Sequence, residues 1–231
     1  MTAPDIFANL TPTQKEAVMT TTGPLLIIAG AGSGKTRVVT QRIAYLIQQK
    51  VDPHRILAIT FTNKAAGEMK ERICHYAQGE KVWVSTFHAF CAKILRRHAE
   101  VLGYSRHYLI YDTEDKKALI QAVLEEKKLG DYLKRYSLGK LSGEISAIKQ
   151  TLLVPNQTYS LPTPLDEIFP LYQERLQRAD AMDFEDLLSK TILLFETNPE
   201  ILKHYQEFFQ YISVDEYQDT NPIQAEIIFL L

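Results

Sequence analysis

Gly30, Gly32 and Gly34 fall within five positions, immediately ahead of Lys35 and Thr36 and behind the aliphatic run "LLIIA" (25–29). Glycine costs backbone entropy, so a cluster at the end of a strand-like run marks a tight turn or the close approach of something to the backbone. Strand, glycine turn, Lys-Thr and helix together form the phosphate-binding loop arrangement. Its successive N–H groups make a concave nest, and the helix that follows adds its positive end. In that arrangement Lys35 reaches the β- and γ-phosphates of a nucleotide, the Thr36 hydroxyl ligates Mg²⁺, and Gly32 and Gly34 let the backbone close on the oxygens without a Cβ in the way. The general pattern has glycine where this chain has Ala29. A dinucleotide fingerprint is excluded, because Lys35 stands where its third glycine belongs.

A second chemical centre lies far along the chain. "ISVDEYQDTN" puts Asp215 and Glu216 directly after the aliphatic run 211–214. One acid at a strand end can hold the water shell of Mg²⁺ while its neighbour orients and deprotonates a water. Glu125 and Glu126 are also adjacent, but they lie in a helical pattern and read as a solvated face. A phosphate loop taken alone suits a kinase, a GTPase or a motor equally well. Cys74 and His75, with His88 and Cys91, offer four zinc-type ligands, yet their spacing matches no common finger and both pairs fall in helical patterns, so they read as packing residues.

The elements that must position these groups follow from periodicity. From residue 25 to about 110, short β-rich runs alternate with helical patterns, the signature of an α/β parallel sheet flanked by helices. "LLIIA", "ILAIT" (56–60) and "VWVS" (82–85) read as buried strands. Val39, Ile43, Leu46 and Ile47 mark the helix after the first, and Met69 with Ile73 the next. After "VWVS", Phe87, Phe90, Ile94, Leu95 and Leu102 mark a long helix. Residues 112–180 change character: Asp112 and Thr113 can cap a helix carrying Leu119, Val123 and Leu124, and a second runs through Leu138, Leu141, Ile145 and Ile148. "VPNQTYSLPTPLD" (154–166) breaks the pattern with three prolines. Asp183 starts a further helix, Asn198 before Pro199 starts another, and "YISV" (211–214) returns to strand. The predicted organisation is a nucleotide-binding segment over 1–111, an all-helical insertion over 112–180 and the second nucleotide-binding segment over 181–231.

At 231 residues, 45% hydrophobic and 23% charged, the chain can bury a real core. No apolar run approaches the roughly 20 residues that cross a bilayer, and the first residues lack the basic-then-apolar pattern of a secretion signal. Two cysteines fit a reducing compartment, and the expectation is a cytoplasmic protein without a membrane partner. The net charge of −2 hides an asymmetry. Residues 1–110 carry 14 Lys and Arg against 7 Asp and Glu, and the remainder carries 12 against 21. That balance fits a polyanion on one side of the molecule.

At this point the chain resembles the UvrD/Rep/PcrA-like superfamily 1 DNA helicases. "FANLTPTQKEAV" (7–18), "AGAGSGKT" (29–36), "ITFTNKAAGEMKERI" (59–73), "STFHAFCAKILR" (85–96), "AMDFEDLL" (181–188) and "DEYQDTN" (215–221) are similar to that family's motifs, in order. Ala29 belongs to the family's own form of the loop. The resemblance implies a RecA-like P-loop NTPase fold, with ATP and Mg²⁺ as ligands. Gln14 would read the adenine edge; Ala29, Gly30, Ala31, Gly32, Ser33, Gly34, Lys35 and Thr36 would cradle the phosphates, with Arg37 beside them. Lys35, Asp215, Glu216 and Gln218 would be catalytic, and Thr36 with Asp215 would hold the metal. Phe61, Thr62, Asn63, Thr86, His88 and Phe184 would meet single-stranded DNA, whereas Phe87 is expected in the core.

The same resemblance implies a full enzyme that hydrolyses ATP, moves 3′ to 5′ and works at junctions of single- and double-stranded DNA. A further strand carrying a Gln motif, and a second RecA-like domain supplying arginines, are expected beyond residue 231, so this chain alone should hydrolyse little. In such sheets that strand lies between the phosphate-loop strand and the acidic one. A gap, a rearranged pairing, or a neighbour's strand in a dimer or swap is therefore expected in the sheet. Two rival functions remain: a single-strand-binding module without turnover, and a P-loop NTPase that does not act on DNA.

Overall fold

The computed structural model describes residues 5–30, 32–76, 78–134, 136–151 and 165–231. It is an α/β protein whose contacts divide into two compact units. The first takes the chain up to Ala89, then Lys203–Thr220 and Leu231; the second takes Phe90–Leu202 and Asn221–Leu230.

In the first unit α1 (Pro12–Met19) begins at a capping box. The Thr11 hydroxyl accepts from the Gln14 N–H, the Gln14 side chain accepts from the Thr11 N–H, and Pro12 supplies a preset φ. α2 (Lys35–Gln48) follows the glycine turn. β1 (Ile56–Thr60) is buried at every position and sits at the centre of a three-stranded parallel sheet, between β2 (Trp83–Thr86) and β5 (Tyr211–Val214). Ala58 pairs with Val84 on one side and with Ser213 on the other. Burial on both faces explains the unbroken "ILAIT", which has no polar alternation. Ile43 and Leu46 of α2, Met69 and Ile73 of α3 (Asn63–Cys74), Ile56, Ala58 and Val82 make one core cluster; Ile6, Leu10, Val18, Val38 and Ala44 make another. Gly79 is fixed by contact: a Cβ there would lie 1.9 Å from the Ile73 carbonyl oxygen.

One predicted strand is absent. Residues 25–29 pair with no strand among the described residues, and Leu26 and Ile28 are 70% and 87% exposed. The run has the composition of a central strand, but strand geometry needs a neighbour to take up its N–H and C=O groups. β5 pairs with β1 alone among the described residues. β5 is therefore an edge of the three-stranded sheet among the described residues. β2 runs to Thr86, one residue beyond the predicted "VWVS".

The second unit holds the later part of α4 (Phe87–His98), then β3 (Leu109–Tyr111), α5 (Thr113–Glu126), α6 (Leu138–Thr151), α7 (Leu165–Arg178), β4 (Ala181–Asp183) and α8 (Phe184–Thr197). α9 (Pro199–Phe208) leads into the first unit's β5, and α10 (Pro222–Leu230) packs on α8. Ile120, Val123, Leu124, Leu141, Ile145, Ile168, Tyr172 and Leu176 form its core. No strand is expected here from the residue pattern, yet β3 and β4 pair in parallel, with Ile110 opposite Met182. Three-residue strands are too short for alternation to register. The predicted break at 154–166 lies almost wholly outside the described residues. The contact units do not follow the expected boundaries at 111 and 180, because α8 and α10 cluster with the helices of 112–180. No described helix is long and apolar enough to cross a membrane.

Candidate functional site

The parallel register of the first unit decides where the motif residues emerge. β1, β2 and β5 all run the same way, so residues 61–63, 86–88 and 215–218 leave the sheet at its carboxyl edge, where ligands of open α/β sheets bind.

The phosphate loop bends through two left-handed glycines, Gly32 at φ 71° and Gly34 at φ 88°. Only glycine adopts that region at no steric cost. Gly34 precedes α2 without a side-chain cap, so the helix's first N–H groups lack that source of satisfaction. The Lys35 ammonium folds back over the loop and donates to the carbonyls of Ala29 and Gly30, at 3.0 and 3.2 Å. Ser33 donates its hydroxyl to Gly30 O at 2.7 Å. Ala29, Gly30, Gly32, Ser33 and Arg37 are exposed, whereas Gly34, Lys35 and Thr36 are half-buried; Ala31 lies outside the described residues.

Thr36 Oγ1 donates to Asp215 Oδ2 at 3.0 Å, across 179 residues of chain. A hydroxyl and a carboxylate in contact at a strand end are hard oxygen donors, and Mg²⁺ is commonly held by one or two such protein groups with the remaining ligands from phosphate and water. The donor set therefore fits that ion.

Asp215 is buried, while Glu216 beside it is exposed. The cause is a backbone feature that the sequence did not disclose. Glu216 sits at φ 53°, in the left-handed region, and its N–H donates to Asp215 Oδ1 at 3.1 Å. Non-glycine residues there are uncommon and concentrate at functional turns. The turn sends two consecutive acids to different places, Asp215 to Thr36 and Glu216 outward, where Gln218 donates its amide to the Glu216 carboxylate.

Gln14 is at the loop, bound to its backbone. Its Nε2 donates to the Ser33 carbonyl at 2.9 Å and its Oε1 serves the capping box. The side chain expected at adenine thus ties α1 to the phosphate loop.

Among the residues expected at DNA, Thr62 and Asn63 are exposed at the head of α3, with the Thr62 hydroxyl accepting from the Ala65 N–H. Phe61 is half-buried and meets Phe87 edge-on at 5.7 Å between ring centres. Phe87 is 1% exposed, the core residue that was expected. His88 is half-buried, and Thr86 is buried with its hydroxyl accepting from the Ala89 N–H at 3.3 Å, as a helix cap does. Phe184 belongs to the second unit and is 46% exposed. Cys91 is fully buried, and burial pushes its thiol up to about 12, so it is inert packing at neutral pH. Cys74 is exposed.

Residues 10–231 match the family model described as the UvrD/REP helicase N-terminal domain. The chain is 48% identical over 226 residues to the ATP-dependent DNA helicase PcrA of Staphylococcus aureus strain Mu50, covering 94% of this chain and 31% of that protein. It is 47% identical over 231 residues to the PcrA of Staphylococcus epidermidis strain RP62A, covering 96% and 31%. The chain thus spans less than a third of the length of these relatives.

Proposed function

This chain belongs to the UvrD/REP helicase N-terminal domain family, and from that premise we propose that it is the motor domain with which a DNA helicase binds Mg·ATP and single-stranded DNA and moves 3′ to 5′. The observation that carries the proposal is the 3.0 Å contact of Thr36 with Asp215, because it joins the phosphate loop to the strand-end acid.

When bound, Mg²⁺ supplies positive charge to the phosphoryl oxygens. The chain's own groups do the rest. Lys35 exchanges two neutral carbonyls for phosphate oxygens, which are stronger acceptors because they are charged. The N-terminus of α2 adds N–H donors. Glu216, turned outward, takes the proton of the attacking water, and the Gln218 amide fixes the orientation of that carboxylate. Gln14 reads adenine by releasing one of its two present partners. Phe61, Thr62, Asn63 and His88 at the sheet edge, and Phe184 on α8, hold single-stranded DNA; aromatic faces there contribute about 1–3 kcal/mol per stacked base without regard to sequence. Thr86 joins them only by releasing the Ala89 N–H.

In the whole protein, the transition-state arginines come from a second RecA-like domain, and the assembled pair acts in the cytoplasm at junctions of single- and double-stranded DNA. An arginine of that kind is worth about 10³–10⁵ in rate, so this chain by itself turns over slowly.

Calorimetric titration with Mg·ATP, followed by phosphate release with and without a dT oligonucleotide, tests the proposal. Heat on titration and DNA-stimulated release are expected. Glu216→Gln should keep the heat and reduce release to background, since a positioned general base contributes about 10²–10⁴-fold. A folded sample that gives no heat overturns nucleotide binding. Binding of DNA with no turnover at all would favour a non-hydrolysing module, and turnover indifferent to DNA a P-loop NTPase of another kind.

A further inference from the structure

The run 181–188 is buried except at its middle. Ala181 and Met182 are fully buried, Asp183, Asp186 and Leu187 are each 1% exposed and Leu188 4%, yet Phe184 among them is 46% exposed. The acids around that ring are held by two lysines from neighbouring helices. Lys149 of α6 reaches Asp183 Oδ2 at 2.6 Å and Asp186 Oδ2 at 2.9 Å. Lys116 of α5 reaches Glu185 Oε2 at 3.1 Å and Asp183 Oδ2 at 3.7 Å, and donates to Ser146 Oγ at 2.6 Å. Tyr172 of α7 donates its hydroxyl to Asp183 Oδ2 at 2.8 Å. Asp183 and Asp186 also close a capping box around the first turn of α8, each accepting from the other's N–H.

Stability does not account for this arrangement. Taking several charges out of water costs free energy that their attraction often only repays, and apolar replacements of buried ion pairs are frequently neutral or better. What the charges do supply is direction. Three carboxylates, at 183, 185 and 186, are each fixed to an ammonium, so the backbone of the first turn of α8 cannot rotate about its axis. The most exposed side chain of that turn is the ring of Phe184, at 46%.

We propose that Lys116 and Lys149 are positioning residues, which hold the head of α8 so that Phe184 presents its face to a nucleobase of single-stranded DNA. The proposal rests on the assignment of Phe184 to DNA made above, and it concerns the placement of the ring, which can be read without DNA. Burial tends to raise both carboxyls; for Asp183 the Lys149 ammonium overcomes this and holds it below the ordinary range, so the charge that pairs with Lys149 persists at neutral pH.

The test labels this chain with 4-fluorophenylalanine, assigns the position-184 signal by its loss in Phe184→Leu, and compares ¹⁹F shifts in Lys149→Met and Lys149→Arg. Lys149→Met should move that signal in the native population while the Phe61 and Phe87 signals stay put, and Lys149→Arg should restore most of the shift. Loss of stability alone would not move a native-state shift. In parallel, Phe184→Ala should weaken binding of a dT oligonucleotide by about 5- to 150-fold. Lys149→Met should weaken it comparably, and the two together should lose no more than Phe184→Ala alone. An unmoved signal in Lys149→Met, or losses that add, overturns the positioning role. A moved signal with unchanged DNA binding in Phe184→Ala leaves that role standing and removes the assignment to DNA. Should Lys149→Met fail to fold, Tyr172→Phe takes one hydrogen bond from the same carboxylate, and the same shift decides.

Discussion

Two regions of this molecule use nearly the same residue types and bring them to opposite states. At the phosphate loop a lysine, a threonine and two acids stand at the carboxyl edge of the sheet. Among the described residues Lys35 is satisfied by carbonyls of its own loop, and Glu216 lies in the open. In the second unit Lys149, Lys116, Asp183, Asp186 and Tyr172 are sealed from water and saturate one another. Buried polar groups must be paired because an unpaired one forfeits its hydration without return. Groups left partly solvated can exchange a weak internal partner for a charged ligand. The first arrangement therefore suits binding, and the second fixes geometry.

Removing one member of the sealed group should break the contrast most strongly. Lys149→Met leaves two buried carboxylates facing each other, and the loss of one partner of a buried pair costs about 3–5 kcal/mol. Denaturant titration of the chain would measure it; a change below about 1 kcal/mol would mean the network is solvated. The open site should respond differently. Lys35→Ala should leave unfolding in the absence of nucleotide within about 0.5 kcal/mol of the parent. The Mg·ATP affinity should fall by the worth of at least one hydrogen bond to a charged group, about 1.5–3 kcal/mol or roughly 10- to 150-fold. A large fall in stability without nucleotide would show that Lys35 is a structural residue like Lys149.

The smallest effect is in pH. Burial, opposed by Lys149 and reinforced by the neighbouring Asp183 charge, holds Asp186 above the ordinary carboxylate range, whereas Asp183 is held below it. Between the raised pKa of Asp186 and the unfolded value near 3.9, the folded chain binds more protons, so stability from this residue grows as pH falls. Below that value the unfolded chain takes up the proton that Asp183 refuses, and stability declines. Lys149→Met should flatten the acid limb, and Lys35→Ala should leave the whole profile unchanged.

Much of the phosphate site was legible in the sequence, because loop chemistry is local: Gly32, Gly34, Lys35 and Thr36 act from consecutive positions, and left-handed glycines are a backbone requirement. The strand "ILAIT" and the helices capped by Asp112 and Asp183 were legible for the same reason. The left-handed turn at Glu216 carried no such mark, since glutamate is not a residue that announces positive φ. Lys116 and Lys149 carry no such mark either, because nothing in their own segments tells that an acid-rich turn tens of residues away will be folded against them.

The sequence by itself determined the local chemistry and the family it serves, since caps, glycine turns and strand runs are written in neighbouring residues. Tertiary structure alone decided which of these found partners. It left "LLIIA" without a strand beside it among the described residues, brought Thr36 to Asp215, turned Gln14 onto Ser33, and closed two lysines over the acids that flank Phe184. The reason is that pairing, burial and register depend on what lies across space, and a strand or an ion is completed by a neighbour that its own segment cannot specify.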